Sequence, residues 1–234
     1  MVCCLPTFYL PAATFYLSPA HLLLSCFNTN GLYVGFVFSQ TGFTQRLWRK
    51  NRVANSNSTC VGTDINRNWN WKWSASGGSS ADPCSDVYRG SSPGSTQEFK
   101  ALSVFQNRLA SSLPGVKLYI DWHSYAQLVL TPYGYSSSGI AAESMELSSL
   151  AHGYANAARG LYNTTYKAGP VCNTVYKVSG SAIDYSYDVS KIKYSFTTEL
   201  RDTGKYGFIL PANQILPTAL ESWEGVKYLL DNMR

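Results

Sequence analysis

A chain of 234 residues is long enough for one large domain with its own apolar core. With 45% hydrophobic and 14% charged residues it stands outside the disordered class. Its net charge of +5 is mild and concentrated in one short run, which is weak support for a nucleic-acid partner.

The first stretch differs from everything after it. All 19 basic and 14 acidic residues lie at or beyond Arg46. Pro6, Pro11 and Pro19 interrupt the apolar stretch before it reaches membrane-spanning length. A secretory signal would need a basic start and a small-residue cleavage site, and neither stands out. A buried part of the domain would show a sustained strand or helix period, and none persists. The favoured expectation is that residues 1–34 are an atypical uncharged segment outside the domain, and that residues 35–234 form the domain.

The chain then runs through Arg46-Leu47-Trp48-Arg49-Lys50-Asn51-Arg52, a solvated basic face or a rim for an anionic substrate. Cys60 and Cys84 flank a Gly/Ser/Trp-rich loop without the spacing of a zinc site, so a disulfide is the simpler reading. Cys172 has no evident partner. The sequons Asn57-Ser58-Thr59 and Asn163-Thr164-Thr165, together with 17 tyrosines and six tryptophans, fit a secreted protein.

Ser95-Thr96-Gln97-Glu98 reads as a capping box, followed by Phe99, Leu102, Phe105 and Leu109 at helical spacing. Lys117-Leu118-Tyr119-Ile120-Asp121-Trp122 reads as a buried strand after Pro114-Gly115, and it delivers His123 to its carboxyl end. Open α/β sheets place their ligands at such strand ends. Leu147, Leu150, Tyr154, Ala157 and Leu161 mark a second helix with His152 on its exposed side. Tyr194 to Leu200 is a second strand and carries Glu199. Pro217 opens a last helix with Ala219, Leu220, Trp223, Val226 and Leu230 facing inward. Alternating strand and helix signals make this a single α/β domain. By themselves, His123 and Glu199 are either catalytic groups or a core histidine and a salt-bridged glutamate.

Four motifs in order carry a resemblance: the basic run at 46–52, Asp64-Ile65-Asn66-Arg67-Asn68-Trp69, Asp121-Trp122-His123-Ser124-Tyr125, and Ile192 to Gly204 around Glu199. From about Gly35 onward the chain resembles the zinc metallocarboxypeptidases of the pancreatic carboxypeptidase A/B type, including their fungal members. The resemblance implies a mixed, largely parallel twisted sheet with helices on both faces, lacking the family's first strands and helix. It implies that His123 is a zinc ligand and Glu199 the general base. Arg49 matches the guanidinium that stabilises the oxyanion. Asn66 and Arg67 match the clamp for a substrate's C-terminal carboxylate, with Arg46 as a secondary contact. Tyr176 matches the mobile tyrosine that closes over the terminal residue, and Ser124 and Tyr125 line neighbouring subsites.

Ile183 falls where B-type enzymes carry an acidic residue, so the resemblance implies an A-type preference for apolar C-terminal side chains. Leu130, Gly134, Val171, Val178 and Thr197 complete that pocket. The implied cofactor is zinc. The implied partners are peptide or protein C-termini, with no nucleic acid, no membrane and a monomeric chain. One departure bears on activity. The family draws two more zinc ligands from an upstream H-x-x-E motif, whereas His21 begins His21-Leu22-Leu23-Leu24 and no other histidine precedes His123. A catalytic zinc takes three protein ligands plus water. Three functions therefore compete: a carboxypeptidase, a non-catalytic binder of peptide C-termini, and a truncated gene product. A serine or cysteine hydrolase lacks its motifs here.

Overall fold

The computed structural model describes residues 21–25, as backbone only, and residues 47–234. Five strands form one sheet: β1 (His21–Ser25), β2 (Val116–Ser124), β3 (Leu128–Thr131), β4 (Lys167–Pro170) and β5 (Tyr194–Leu200). Their order is β1-β2-β5-β3-β4. The β1–β2, β2–β5 and β3–β4 pairs are parallel and β3–β5 is antiparallel, so the sheet is mixed and largely parallel, as expected. The helices are α1 (Gln97–Ser111), α2 (Ser144–Tyr162), α3 (Val171–Thr174), α4 (Ala182–Asp188) and α5 (Ile215–Asn232).

Because side chains alternate across a strand, β2 feeds two cores. Leu118 and Ile120 join Tyr194 and Phe196 beneath Leu147, Leu150 and Tyr154 of α2 and Val226 and Leu229 of α5. Tyr119 points the other way and packs with Trp69, Phe99 of α1 and Ala182 and Tyr185 of α4. Trp69, Phe99 and Tyr185 meet edge-on or tilted, with centroids 4.9–5.5 Å apart. Helices thus cover both faces.

Two glycines let α2 and α5 approach closely. A Cβ on Gly153 would sit 1.9 Å from the Tyr228 ring, and one on Gly225 would sit 2.5 Å from the Tyr154 ring. Each helix thus offers a groove to the other's tyrosine. Helix α5 is also tied to the end of β5. Arg201 Nε donates to Glu221 Oε1 over 2.8 Å, and the Tyr166 hydroxyl donates to the same oxygen over 2.9 Å. Arg201 Nη2 donates to the other oxygen, Oε2, so both oxygens of the fully buried Glu221 are answered.

The fold corrects three helix readings and adds an edge strand. Residues 21–25 pair in parallel with β2. A five-residue apolar run is too short for periodicity to reveal it. The cap of α1 is Thr96, whose side chain accepts from Phe99 N, while the hydroxyl of Ser95 accepts from Asn68 Nδ2. The buried face of α1 is Phe99, Ser103 and Gln106, with Phe105 exposed. Gln106 is inside because its amide donates to Ser186 and Ser190 at 2.9 and 2.8 Å. On α5, Glu221 and Ser222 are buried and Trp223 is exposed over more than a third of its surface. The Cys60–Cys84 disulfide is present, and Cys172 is unbonded among the described cysteines.

Candidate functional site

The site forms at the carboxyl ends of β2 and β5, where His123 and Glu199 are direct partners in the strand register. Asp121, two residues before His123, points to the same face. His123 Nε2 lies 2.9 Å from Asp121 Oδ2, and both side chains are buried. Burial opposes a charge on His123, but Asp121 through its charge and hydrogen bond, with Glu199 beyond it, raises the imidazole's pKa. Burial also raises the pKa of Glu199, and the charges of His123, Arg49 and Arg67 pull it back. One oxygen of each carboxylate, Asp121 Oδ1 and Glu199 Oε2, is buried without a hydrogen-bond partner.

A 3₁₀ turn, Ile65–Arg67, brings the second half of the site to these strand ends. Asp64 caps it by accepting from Asn66 N at 3.0 Å. The same carboxylate receives Arg49 Nε and Nη2 on one oxygen, at 3.0 and 2.8 Å. Burial works against the Arg49 charge, and Asp64 more than compensates, so its pKa rises. Asn66 is fixed at both ends of its amide. Its Oδ1 accepts from Ala182 N at 2.8 Å, and its Nδ2 lies 3.2 Å from His123 Nε2 and 3.4 Å from Asp121 Oδ2. Both nitrogens converge on the Asp121 carboxylate.

Arg67 is buried, with Nη1 donating to Asn66 O at 2.7 Å and Nη2 reaching the Tyr176 hydroxyl at 3.4 Å. Its Nε has no hydrogen-bond partner. A buried guanidinium with a free donor is suited to a carboxylate or another planar acceptor. Tyr176 is more than half exposed, consistent with a side chain at a rim. Gly180 shows how tightly the next segment crosses this turn, since a Cβ there would lie 2.3 Å from Arg67 O. At +64° its φ also falls in the left-handed region that glycine tolerates.

Ile183 is buried in a small apolar cluster with Leu128, Leu130, Val171 and Val178. Thr197 is buried on β5, two residues before Glu199. Ser124 ends β2, and the Tyr125 ring meets Phe208 edge-on at 4.7 Å. Asp202 shapes that flank by accepting backbone N–H groups from Gly204, Tyr206 and Gly207. Arg46 lies outside the described residues.

The structure therefore brings His123, Glu199, Asn66 and Arg67 together, with Arg49 linked through Asp64. Sequence reasoning did not single out Asp121 and Asp64 as members. The spacing Asp121-x-His123 in one strand was the available signal, because it puts both side chains on one face. His152 sits on the exposed side of α2, as read. Among the described residues no group of three or more His, Cys, Asp or Glu side chains can hold a metal ion. The donor set of the described residues, one imidazole beside Asp121 and Glu199 with no group of three ligands, does not fit a three-ligand catalytic zinc.

A family model described as zinc carboxypeptidase matches residues 26–225, so the match begins inside the segment expected to stand apart. A metallocarboxypeptidase A-like protein of Trichophyton verrucosum is 46% identical over 86% of this chain and 46% of its own length. Metallocarboxypeptidase A of Trichophyton equinum is 45% identical over 84% of this chain and 46% of its own length. The chain thus spans about half the length of the curated relatives it matches. Bovine thrombin-activatable fibrinolysis inhibitor, solved with a tick carboxypeptidase inhibitor, superposes with a TM-score of 0.81 at 31% identity, over 93% of this chain and 83% of that one. Carboxypeptidase A from Helicoverpa armigera gives 0.72 at 28% identity, over 88% of this chain and 49% of that one. On the extent of the family match and the identity to these relatives, the chain belongs to the zinc carboxypeptidase family.

Proposed function

We propose that this protein is a carboxypeptidase that removes single apolar residues from peptide C-termini, and that the described residues contribute its substrate-recognition half together with the general base. The observation that supports this best is the buried Arg67, whose Nε lacks a partner beside Asn66 and the Tyr176 hydroxyl. In this reading Asn66 and Arg67 take the terminal carboxylate and Tyr176 closes over it. The apolar surroundings of Ile183 accept the side chain. Ser124 and Tyr125 meet the preceding residues, and Arg46 adds a secondary carboxylate contact. Glu199, its pKa raised by burial, takes a proton from the attacking water, and Arg49 faces the developing oxyanion.

Zinc is the cofactor of this reading, and it would polarise the scissile carbonyl and acidify water. The described residues offer it only His123, and no step is assigned through it. This favours a second reading, in which the 234-residue chain by itself binds C-termini without turning them over. The disulfide supports a secreted setting. No helix among the described residues is long and apolar enough to cross a membrane.

The test is made on the purified chain. Zinc content should fall short of one tightly held ion, and a blocked dipeptide ending in Phe should not be cleaved. N-acetyl-L-phenylalanine should still bind, and Arg67→Ala should weaken it by about tenfold or more, the loss of a charge-assisted pair. Arg67→Lys should not restore it. Unchanged affinity in Arg67→Ala would sink the recognition reading. One tight zinc with turnover abolished by Glu199→Gln would show that the chain carries a full catalytic site.

A further inference from the structure

Asp184 is buried to 1% exposure one residue after Ile183, and no step proposed above uses it. Gly134 N donates to Asp184 Oδ1 at 3.0 Å and to Oδ2 at 3.1 Å, and Tyr135 N donates to Oδ2 at 3.1 Å. The loop it holds is bonded to the segments that carry the apolar cluster. Gly134 O accepts from Val178 N at 2.8 Å, and Tyr133 O accepts from Cys172 N at 3.0 Å. Val178 and Val171, next to these contacts, pack in one cluster with Ile183. Contact at Gly134 is already close. A Cβ there would meet Val178 O, Val178 Cβ and Val171 Cγ1 at 3.1–3.3 Å.

One buried carboxylate thus joins the helix that carries Ile183 to the loop that sets Val171 and Val178. We propose that Asp184 is the positioning residue of the pocket for the C-terminal side chain, acting through the Gly134–Tyr135 backbone rather than by touching substrate. The inference rests on the reading of Asn66, Arg67 and Ile183 as a site for peptide C-termini. Burying a carboxylate carries a large desolvation cost. Ionised, it accepts N–H groups more strongly than a neutral acceptor would. That trade suits a wall that must hold its spacing while a side chain enters. An alanine would leave the buried N–H of Gly134 and the half-buried N–H of Tyr135 unanswered and let the loop relax away from α4.

The experiment compares two probes by calorimetry on the whole chain. N-acetylglycine reports the carboxylate clamp alone, and N-acetyl-L-phenylalanine reports clamp and pocket together. Asp184→Ala should cut the preference for the phenylalanine probe by about tenfold while N-acetylglycine affinity stays within about twofold. Asp184→Asn, which keeps an acceptor oxygen, should retain the preference. Equal weakening of both probes, or an unchanged preference in folded Asp184→Ala, overturns the proposal and leaves the carboxylate site standing. If Asp184→Ala does not fold, Asp184→Asn and Asp184→Glu decide. The longer Glu should displace the loop and lower the preference, and a Glu variant with wild-type preference overturns the proposal. A wild-type chain that binds neither probe overturns both this inference and the recognition reading beneath it.

Discussion

His123 and Glu199 face each other across the parallel pairing of β2 and β5, the last pair but one before the two strands end at Ser124 and Leu200. Seventy-six positions apart in sequence, they become neighbours because the crossover between parallel strands returns the chain in the same direction. Asp121 lies one alternate position further in, so an acid, an imidazole and a second acid share one face of the sheet.

The side-chain pocket gives the first prediction. Ile183 is buried among Leu128, Leu130, Val171 and Val178, with no counter-charge for a basic group in that cluster. Ile183→Asp should raise the affinity for N-acetyl-L-lysine relative to N-acetyl-L-phenylalanine by about tenfold or more. Competition binding measures the ratio. A folded variant that keeps the original preference would show that this cluster is core and not pocket.

Asp184 should leave a pH signature in stability. Burial lifts its pKa to about 7, against 3.8 for the ordinary side chain, with the N–H groups of Gly134 and Tyr135 pulling the other way. The folded protein therefore keeps a proton that the unfolded chain has already lost between these two values. By linkage the associated stability is present in acid and is lost as pH rises through about 7. Asp184→Asn cannot titrate, so its stability relative to wild type should improve between about pH 5 and about pH 8. Urea denaturation at the two pH values reads the change, and a constant difference would show that Asp184 is ionised throughout.

Two glycines of α2 should respond in opposite senses. Gly153→Ala drives a methyl into the Tyr228 ring and should destabilise the fold by about 1–3 kcal/mol. At Gly160 a Cβ would have nothing within 4 Å, so Gly160→Ala should stabilise by roughly 0.5–1 kcal/mol through helix propensity. Thermal or urea unfolding distinguishes them. Similar effects at both sites would mean that the Gly153–Tyr228 contact does not constrain the helix pair.

The disulfide closes a loop with a sequence separation of 24. Replacing Cys60 and Cys84 together by Ser should cost about 3 kcal/mol in the chain-entropy model. Equilibrium unfolding of the double variant against the oxidised wild type measures it, and a difference near zero would mean that the unfolded loop is already restrained by other means.

Much of this was legible in the linear sequence. The strand carrying Glu199 was read with its true bounds, and β2 differed by one or two residues at its ends, because both are apolar runs bounded by turn residues. The motif at Asp64–Arg67 is legible only through the family resemblance, and its 3₁₀ turn capped by Asp64 belongs to the fold. Helices α1 and α5 were found, but their buried faces were partly misread. Gln106 and Glu221 are polar in the chain and interior in the fold, and their partners Ser186, Ser190, Tyr166 and Arg201 come from distant segments.

The division has a physical basis. Sequence alone determined what depends on neighbours within a few positions: the period of each strand and helix and the chemical character of each motif. Backbone hydrogen bonding and side-chain alternation act at that range. Tertiary structure decided which polar groups found buried partners: Asp121 against His123, Asp64 against Arg49, and Asp184 against the Gly134–Tyr135 backbone. It also added His21–Ser25 to the sheet edge beside β2. A carboxylate looks the same in a sequence whether it is solvated or enclosed. Only packing, which removes water and leaves the charge to whichever donor lies within about 3 Å, turns it into a structural or chemical element.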